Sequence, residues 1–173
     1  MSRSGLHWLL ILAAALPAGA YAETSAKDLA IATRALGFLE PRLAGSIPVA
    51  IVYADGDDAS MADARQIRTG FANSAIKGVA FQPRLVAASD LGGMAGARII
   101  FLAAGAGNQA AIAATAARTH AVTVSSGMAC VKAGRCALGV RAEPSVEIVV
   151  SRAAANAAQV KFSQAFLMLV KEQ

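Results

Sequence analysis

Continuous apolar runs alternate with helical stripes of apolar residues along most of the chain. Runs such as IPVAIVYA at 47–54 and ARIIFLA at 97–103 are bounded by turn residues, a pattern typical of strands buried on both faces. Between the runs, apolar residues recur every three or four positions, which predicts helices. The predicted strands cover residues 47–54, 81–86, 97–103 and 121–125, and the predicted helices cover residues 25–39, 60–71 and 108–118, with one helical turn at 90–94.

Strands that alternate with helices require crossover connections and therefore a parallel sheet. The sequence predicts an α/β fold, a single three-layer sandwich with a mostly parallel sheet and a flavodoxin-like outline. Pro83 lies inside the second predicted strand. Since proline cannot donate to a strand ladder, this strand is expected at an edge of the sheet.

The C-terminal part of the chain changes to a period of two. Residues 137–142 and 146–150 alternate in hydrophobicity around the turn Glu143-Pro144-Ser145, which predicts an antiparallel β-hairpin that extends the sheet at one edge. Ser151 is placed to cap a helix at 152–158, and Ser163 is placed to cap a last helix that reaches Val170. A short extended link at 160–162 separates the two.

This C-terminal pattern resembles the YfiR-like periplasmic proteins, over roughly residues 25–170 and most clearly after Ser125. Gly127-Met128 stands where that family has glycine and methionine before its hairpin, and IVVSRAAANAAQVKFS at 148–163 is similar to the family pattern IN-x-x-AA-x-x-A-G-(L/V)-x-(I/F)-S-S. The chain departs from the family at 35–41, where only Phe38 and Pro41 match its F-x-x-W-P pattern.

The resemblance implies a non-enzymatic regulator that binds the periplasmic part of a membrane signalling protein. The typical partner would be a diguanylate cyclase of the YfiN type, or a sensor, so that cyclic di-GMP signalling is the implied output. Release under redox or envelope stress would depend on a disulfide. A homodimer is an alternative assembly, and the resemblance implies no catalytic residue.

The N-terminal residues 1–22 have the pattern of a secretory signal peptide. Arg3 precedes an apolar run at 9–20, and Ala20-Tyr21-Ala22 is a small-x-small cleavage site. The run is too short for the ~20 residues that span a bilayer, although a retained anchor is the competing interpretation. We therefore expect a periplasmic protein whose mature domain covers residues 23–173.

Two cysteines, Cys130 and Cys136, most simply pair with each other in an exported chain. The alternatives are that the two cysteines do not pair with each other or that they bind a metal, but two thiols without a nearby histidine do not complete a tetrahedral metal site. The sequence therefore predicts a disulfide that fixes the loop leading into the hairpin, and no metal.

The net charge of +5 gives little indication of function, because the basic residues are scattered singly along the chain. Nucleic-acid-binding proteins gather lysine and arginine into patches, so nucleic acid is not an expected partner. Lys132 and Arg135 come closest to a cluster, and they are interpreted as a solvated loop. An acidic partner or an anionic ligand is the other interpretation.

Ligands of open α/β sheets collect at the carboxyl ends of the parallel strands. The loops expected there supply candidate ligand or partner residues, which are Asp55, Asp57, Ser60, Gly105, Gly107, Asn108, Ser125 and Ser126. The acids at 55–58 are better explained by the start of a helix than by a cation. The segment 105–110 fits G-x-G-x-x-A, yet no acid follows about 20 residues later, so a tight turn with Asn108 as a helix cap is favoured over a dinucleotide site.

The residues after the signal peptide include one histidine, His120, which is expected at the opposite end of the sheet from these loops. With no base near a nucleophile, an enzyme and a cofactor are not expected. The leading hypothesis is the regulator described above. The alternative is a single-lobe solute-binding protein, since PVAIVYADGDDASMADARQI at 48–67 is similar to the opening strand and helix of a lobe in transporter substrate-binding proteins.

Overall fold

A computed structural model describes residues 23–173, so the predicted signal peptide lies outside the described residues. The helices are α1 (Ala26–Leu36), α2 (Asp58–Ala72), α3 (Gln109–Thr119), α4 (Met128–Lys132), α5 (Arg152–Ala157) and α6 (Gln164–Leu167), with a 3₁₀ turn at Gly92–Met94. The strands are β1 (Leu39–Glu40), β2 (Gly45–Tyr53), β3 (Val79–Ala87), β4 (Ile99–Leu102), β5 (Val122–Ser125), β6 (Leu138–Arg141), β7 (Glu147–Val150), β8 (Lys161–Phe162) and β9 (Lys171–Glu172).

Seven strands form the central sheet in the order β3-β2-β4-β5-β6-β7-β9. The first five of these pair in parallel, β7 is antiparallel to β6, and β9 is parallel to β7. Counted along the chain, the five parallel strands have the order 2-1-3-4-5 of flavodoxin-like proteins. The predicted α/β fold with a mostly parallel sheet is confirmed.

Both faces of the sheet are covered, which explains the continuous apolar run in β2. Val49 and Ile51 lie in one core with the apolar sides of α1 and α2. Ala50 and Val52 lie in the second core with Ile112 of α3 and with α4. Successive residues of a strand point to opposite faces, so a strand between two helical layers has no polar side.

The edges of the sheet differ in part from the prediction. Pro83 lies in β3, which among the strands of residues 23–173 pairs only with β2 and forms one edge, as expected. The hairpin of β6 and β7 forms, but it does not end the sheet, because β9 pairs outside β7. The predicted helix at 163–170 ends at Leu167, and the last residues supply that edge strand.

A second, two-stranded sheet joins β1 to β8 in antiparallel register. The predicted first helix was expected to reach Leu39, but α1 ends at Leu36 and Leu39 pairs with Phe162 instead. The extended link at 160–162 therefore has a partner, and it ties the C-terminal helices to the end of α1.

Helix α4 replaces the loop expected before the hairpin. It packs directly onto β6 at Gly139, where an added Cβ would lie 2.6 Å from Val131 Cγ1 and 3.2 Å from the Met128 sulfur. Only glycine permits this close approach. Within residues 23–173, every helix is too short or too polar to cross a bilayer.

Candidate functional site

A cavity of about 660 Å³ opens at the carboxyl ends of β4, β5 and β6. Its walls are the loops that follow these three strands, the start of α1 and one side of α4. The lining residues are Glu23, Ser25, Asp28, Ala103, Ala104, Gly105, Ala106, Gly107, Asn108, Gln109, Ser125, Ser126, Gly127, Ala129, Cys130, Arg135, Arg141 and Glu143. Five of the eight predicted site residues, from Gly105 to Ser126, are among them.

The loop after β4 turns sharply before α3 begins. Gly105 adopts a left-handed φ of 74°, and Ala106 N donates to Ala103 O at 3.1 Å. Asn108 stands at the N-cap position, but the prediction that its side chain caps the helix is wrong, because its Nδ2 donates to Ala88 O at 3.1 Å. The amide thus ties this loop to the end of β3 and leaves the first turn of α3 without a side-chain cap.

Buried Asp63 holds the loops around the cavity together, although it does not line the cavity. Its side chain is on α2 and the residue is 1% exposed. Oδ1 accepts from Thr24 N at 2.7 Å, and Oδ2 accepts from Ala104 N at 2.7 Å and from Thr24 Oγ1 at 3.1 Å. The Thr24 hydroxyl is in turn 2.8 Å from Ser126 Oγ. One carboxylate therefore fixes the chain before α1, the loop after β4 and, through a hydroxyl, the loop after β5.

Asp28 also connects separate segments of the chain, at the start of α1. Its Oδ2 accepts from Ser25 N and Ser25 Oγ, both at 2.8 Å, and Asp28 N donates to Ser25 Oγ at 3.1 Å, which completes a capping box. Oδ1 accepts from Ala142 N at 2.6 Å. This long-range bond attaches the first helix to the end of β6 at the rim of the cavity.

Charged side chains of both signs line the cavity rim. Glu143 pairs with Lys27 at 2.7 Å, and this hydrogen bond raises the pKa of Lys27. Arg141 pairs with Glu147, and the neighbouring Lys171 and Arg141 lower the pKa of that carboxyl. Arg135 has no carboxylate partner within residues 23–173, and the sequence of residues 1–22 contains no acid.

The predicted loop at 55–60 lies outside the cavity lining, and its polar side chains bond to other groups of the protein. Asp55 accepts from Ser89 N and from the Ser89 hydroxyl, and the hydroxyl bond lowers the pKa of the carboxyl. Asp57 caps α2 by accepting from Ala59 N and Ser60 N, and Ser60 Oγ accepts from Ala54 N at 2.9 Å. The expectation that this loop shares a pocket with the other two is therefore wrong.

Cys130 and Cys136 form the predicted disulfide, with their Cα atoms 5.3 Å apart. Both residues are buried, and Cys130 lines the cavity. The bond joins α4 to the residues just before β6. Arg135, which was interpreted as part of a solvated loop, is exposed and also lines the cavity.

His120 lies before β5, at the amino end of the parallel strands and away from this cavity. It borders a smaller cavity of about 200 Å³ that also involves Arg98 and Lys161. Across residues 23–173, the side chains of His, Cys, Asp and Glu form no cluster of three or more suited to a metal ion.

Thr24, Asp28 and Asp63 were missed from sequence. A signal for Asp63 was present, because it occupies a helical stripe with Ala64, Ile67 and Phe71, where an acid facing the core needs partners. Nothing local indicates its partners, since Thr24 and Ala104 are 39 and 41 residues away.

The fold and the site together define a flavodoxin-like α/β domain with a solvent-open cavity at the carboxyl edge of its sheet. No model of a known protein family matches the chain, and no curated protein matches it in sequence. Solved structures do match. A conserved domain protein from Vibrio cholerae O1 biovar El Tor str. N16961 has a TM-score of 0.59 at 11% identity, and the match covers 83% of this chain and 59% of that one.

A second similar structure is the ABC domain from Streptococcus pneumonia in complex with L-Trp. Its TM-score is 0.59 at 12% identity, and the match covers 87% of this chain and 60% of that one. This chain therefore spans about three-fifths of the length of either neighbour, and the likeness shows the fold. The similarity to YfiR-like regulators, the periplasmic location and the absence of enzymatic activity stay predictions.

Proposed function

We propose that this domain binds a small polar solute in the cavity at the ends of β4, β5 and β6. The observation that carries the proposal is the cavity itself, whose 660 Å³ lies within the range of ~300–1,000 Å³ usual for small-molecule sites. It also lies where open α/β sheets bind their ligands.

The composition of the cavity wall supports the same conclusion. Glycine and alanine of the loop after β4 expose backbone, while Ser125, Ser126 and Arg135 offer hydrogen-bonding side chains. These groups suit reversible recognition of a polar molecule. The structural neighbour solved with L-Trp lends further support, although its identity is only 12%.

A thermal-shift screen with amino acids, sugars, dicarboxylates and inorganic anions tests the proposal. At a free concentration 100 times Kd, a ligand stabilises the folded state by about 2.7 kcal/mol. For a domain of this size that corresponds to an increase in Tm of about 5–10 °C. Arg135→Ala should reduce the shift, whereas Arg68→Ala, an exposed arginine on α2 outside the cavity, should not. A purified protein that responds to no solute contradicts the proposal.

A second candidate function is the predicted regulator of a membrane signalling protein. Exposed apolar side chains near the small sheet favour a protein contact, since Phe38 stacks on Phe166 at 5.0 Å and is 43% exposed, and Leu169 is 81% exposed. Direct binding to the purified periplasmic part of a YfiN-type cyclase tests it. Phe38→Ser should weaken that binding, with Val146→Ser, an exposed valine in the hairpin turn, as the control.

A further inference from the structure

The hydroxyl groups behind the cavity have a fixed hydrogen-bond direction. Asp63 is buried, and each of its two carboxyl oxygens accepts a hydrogen bond from a backbone N–H group. Its Oδ2 is 3.1 Å from the Thr24 hydroxyl and 2.7 Å from Ala104 N, which is a donor. The single hydroxyl proton of Thr24 is therefore directed at Asp63.

This direction determines the role of Ser126. Its Oγ is 2.8 Å from Thr24 Oγ1, whose proton is already used, so the Ser126 hydroxyl must be the donor of that bond. Ser126 lines the cavity, and its side chain makes no other hydrogen bond to residues 23–173. What Ser126 presents to a ligand is a lone pair without a proton, so the matching ligand group must be a donor.

Three acids belong to the lining of the same cavity. Glu23 precedes Thr24 directly, and Glu143 and Asp28 belong to the lining as well. Asp28 already accepts from Ser25 and Ala142 N, and Glu143 pairs with Lys27, but the exposed Glu23 forms no hydrogen bond or ion pair with other described residues. A protonated amine is the donor that negative charge favours most.

The cavity wall also offers a cation to a second ligand group. The exposed Arg135 guanidinium forms no ion pair within residues 23–173, and a carboxylate is the small group whose geometry best matches a guanidinium. We propose that the cavity binds a small zwitterion, an α-amino acid, with its ammonium donating to Ser126 and its carboxylate facing Arg135. This inference rests on the proposed function and specifies its ligand class.

The test compares each of the twenty free L-amino acids with its N-acetyl derivative, which keeps the carboxylate and loses the ammonium. Glucose and succinate serve as probes without an amine. We expect a Tm increase with one or more free amino acids and a loss of affinity of at least about tenfold on acetylation, as measured by calorimetry.

Two variants locate the effect. Ser126→Ala should weaken binding of the free amino acid by about 10- to 100-fold, while Ser46→Ala, at the amino end of β2, should leave the affinity unchanged. Thr24→Val removes the acceptor of the Ser126 hydroxyl proton, so that Ser126 is free to donate to a ligand. The ratio of the affinities for the free and the N-acetyl amino acid should therefore fall. If Thr24→Val does not fold, the Ser126→Ala result alone decides.

Three outcomes would overturn the inference. If an acetylated amino acid, glucose or succinate binds at least as well as any free amino acid, the ligand class is wrong and solute binding itself stands. If a free amino acid binds Ser126→Ala and the wild type equally, the role of Ser126 is wrong. If no probe binds, the proposed function fails together with the inference.

Discussion

Asp63→Asn is the substitution that most directly tests the internal support of the cavity. The two side chains have nearly the same shape, so packing is preserved and only hydrogen bonding changes. Asp63 accepts from two backbone N–H groups, Thr24 N on Oδ1 and Ala104 N on Oδ2, each at 2.7 Å. An asparagine side chain has one acceptor oxygen, so in either orientation its NH₂ group faces one of these donors.

The cost follows from the number of donors left without an acceptor. A buried donor without a partner costs about 1–3 kcal/mol, and loss of a bond to a charged group adds a similar amount. We expect Asp63→Asn to lower the free energy of unfolding by about 2–6 kcal/mol and Tm by roughly 4–24 °C.

Urea denaturation followed by circular dichroism measures this change, with an unchanged m value as the sign that the folded state is intact. Asp58→Asn is the matched control, because Asp58 is exposed on the first turn of the same helix and should cost no more than about 1 kcal/mol. A loss below about 0.5 kcal/mol for Asp63→Asn would refute the bonding pattern described above.

Three further substitutions have outcomes set by the structure. Gly139→Ala should destabilise the protein by about 1–3 kcal/mol because the added methyl group overlaps α4. In the control Gly107→Ala the added methyl group meets no atom within 4 Å, so stability should change by no more than about 0.5 kcal/mol. Equal effects of the two substitutions in thermal melts would contradict the packing of α4 on β6. Replacing Cys130 and Cys136 together by alanine should cost about 2 kcal/mol, and a reductant should then no longer change Tm; an unchanged Tm would mean that the disulfide does not constrain the unfolded chain. Glu147→Gln should lower Tm at neutral pH, because it removes the ion pairs that hold the pKa of Glu147 below its ordinary value of 4.5. The difference in Tm between wild type and variant should be complete above pH 4.5 and vanish as pH falls through the lowered pKa. A Tm difference that persists in strong acid would exclude the ion pairs as its cause.

The parallel core was predictable because its elements carry their own patterns. The run from Ile47 to Ala54 had to be buried on both sides, and Pro83 could only be at an edge. The three serine caps were also local signals, since Ser25, Ser151 and Ser163 each accept from a backbone N–H within three residues. Such features depend on neighbours in sequence and can be inferred without the fold.

The cavity was predictable in position but not in its boundaries. Topology places any pocket at the carboxyl edge. It does not distinguish the loop at 55–60, whose polar side chains bond to other protein groups, from the start of α1, which lines the cavity. The contribution of α1 depends on the bond from Ala142 N to Asp28, between residues 114 apart. Helix α4 was missed because a five-residue helix without a side-chain cap shows neither a full apolar period nor a capping residue in the sequence.

The two ends of the seven-stranded sheet have a consequence for self-association. On one side Pro83 interrupts the row of donors on β3, and on the other β9 offers only Lys171 and Glu172. Long, regular edges promote strand addition between copies and the growth of fibrils, whereas a proline and a charged two-residue strand discourage both. The domain should thus resist aggregation through open β-structure, and a dimer of two copies would have to be built from a helical face or a loop surface.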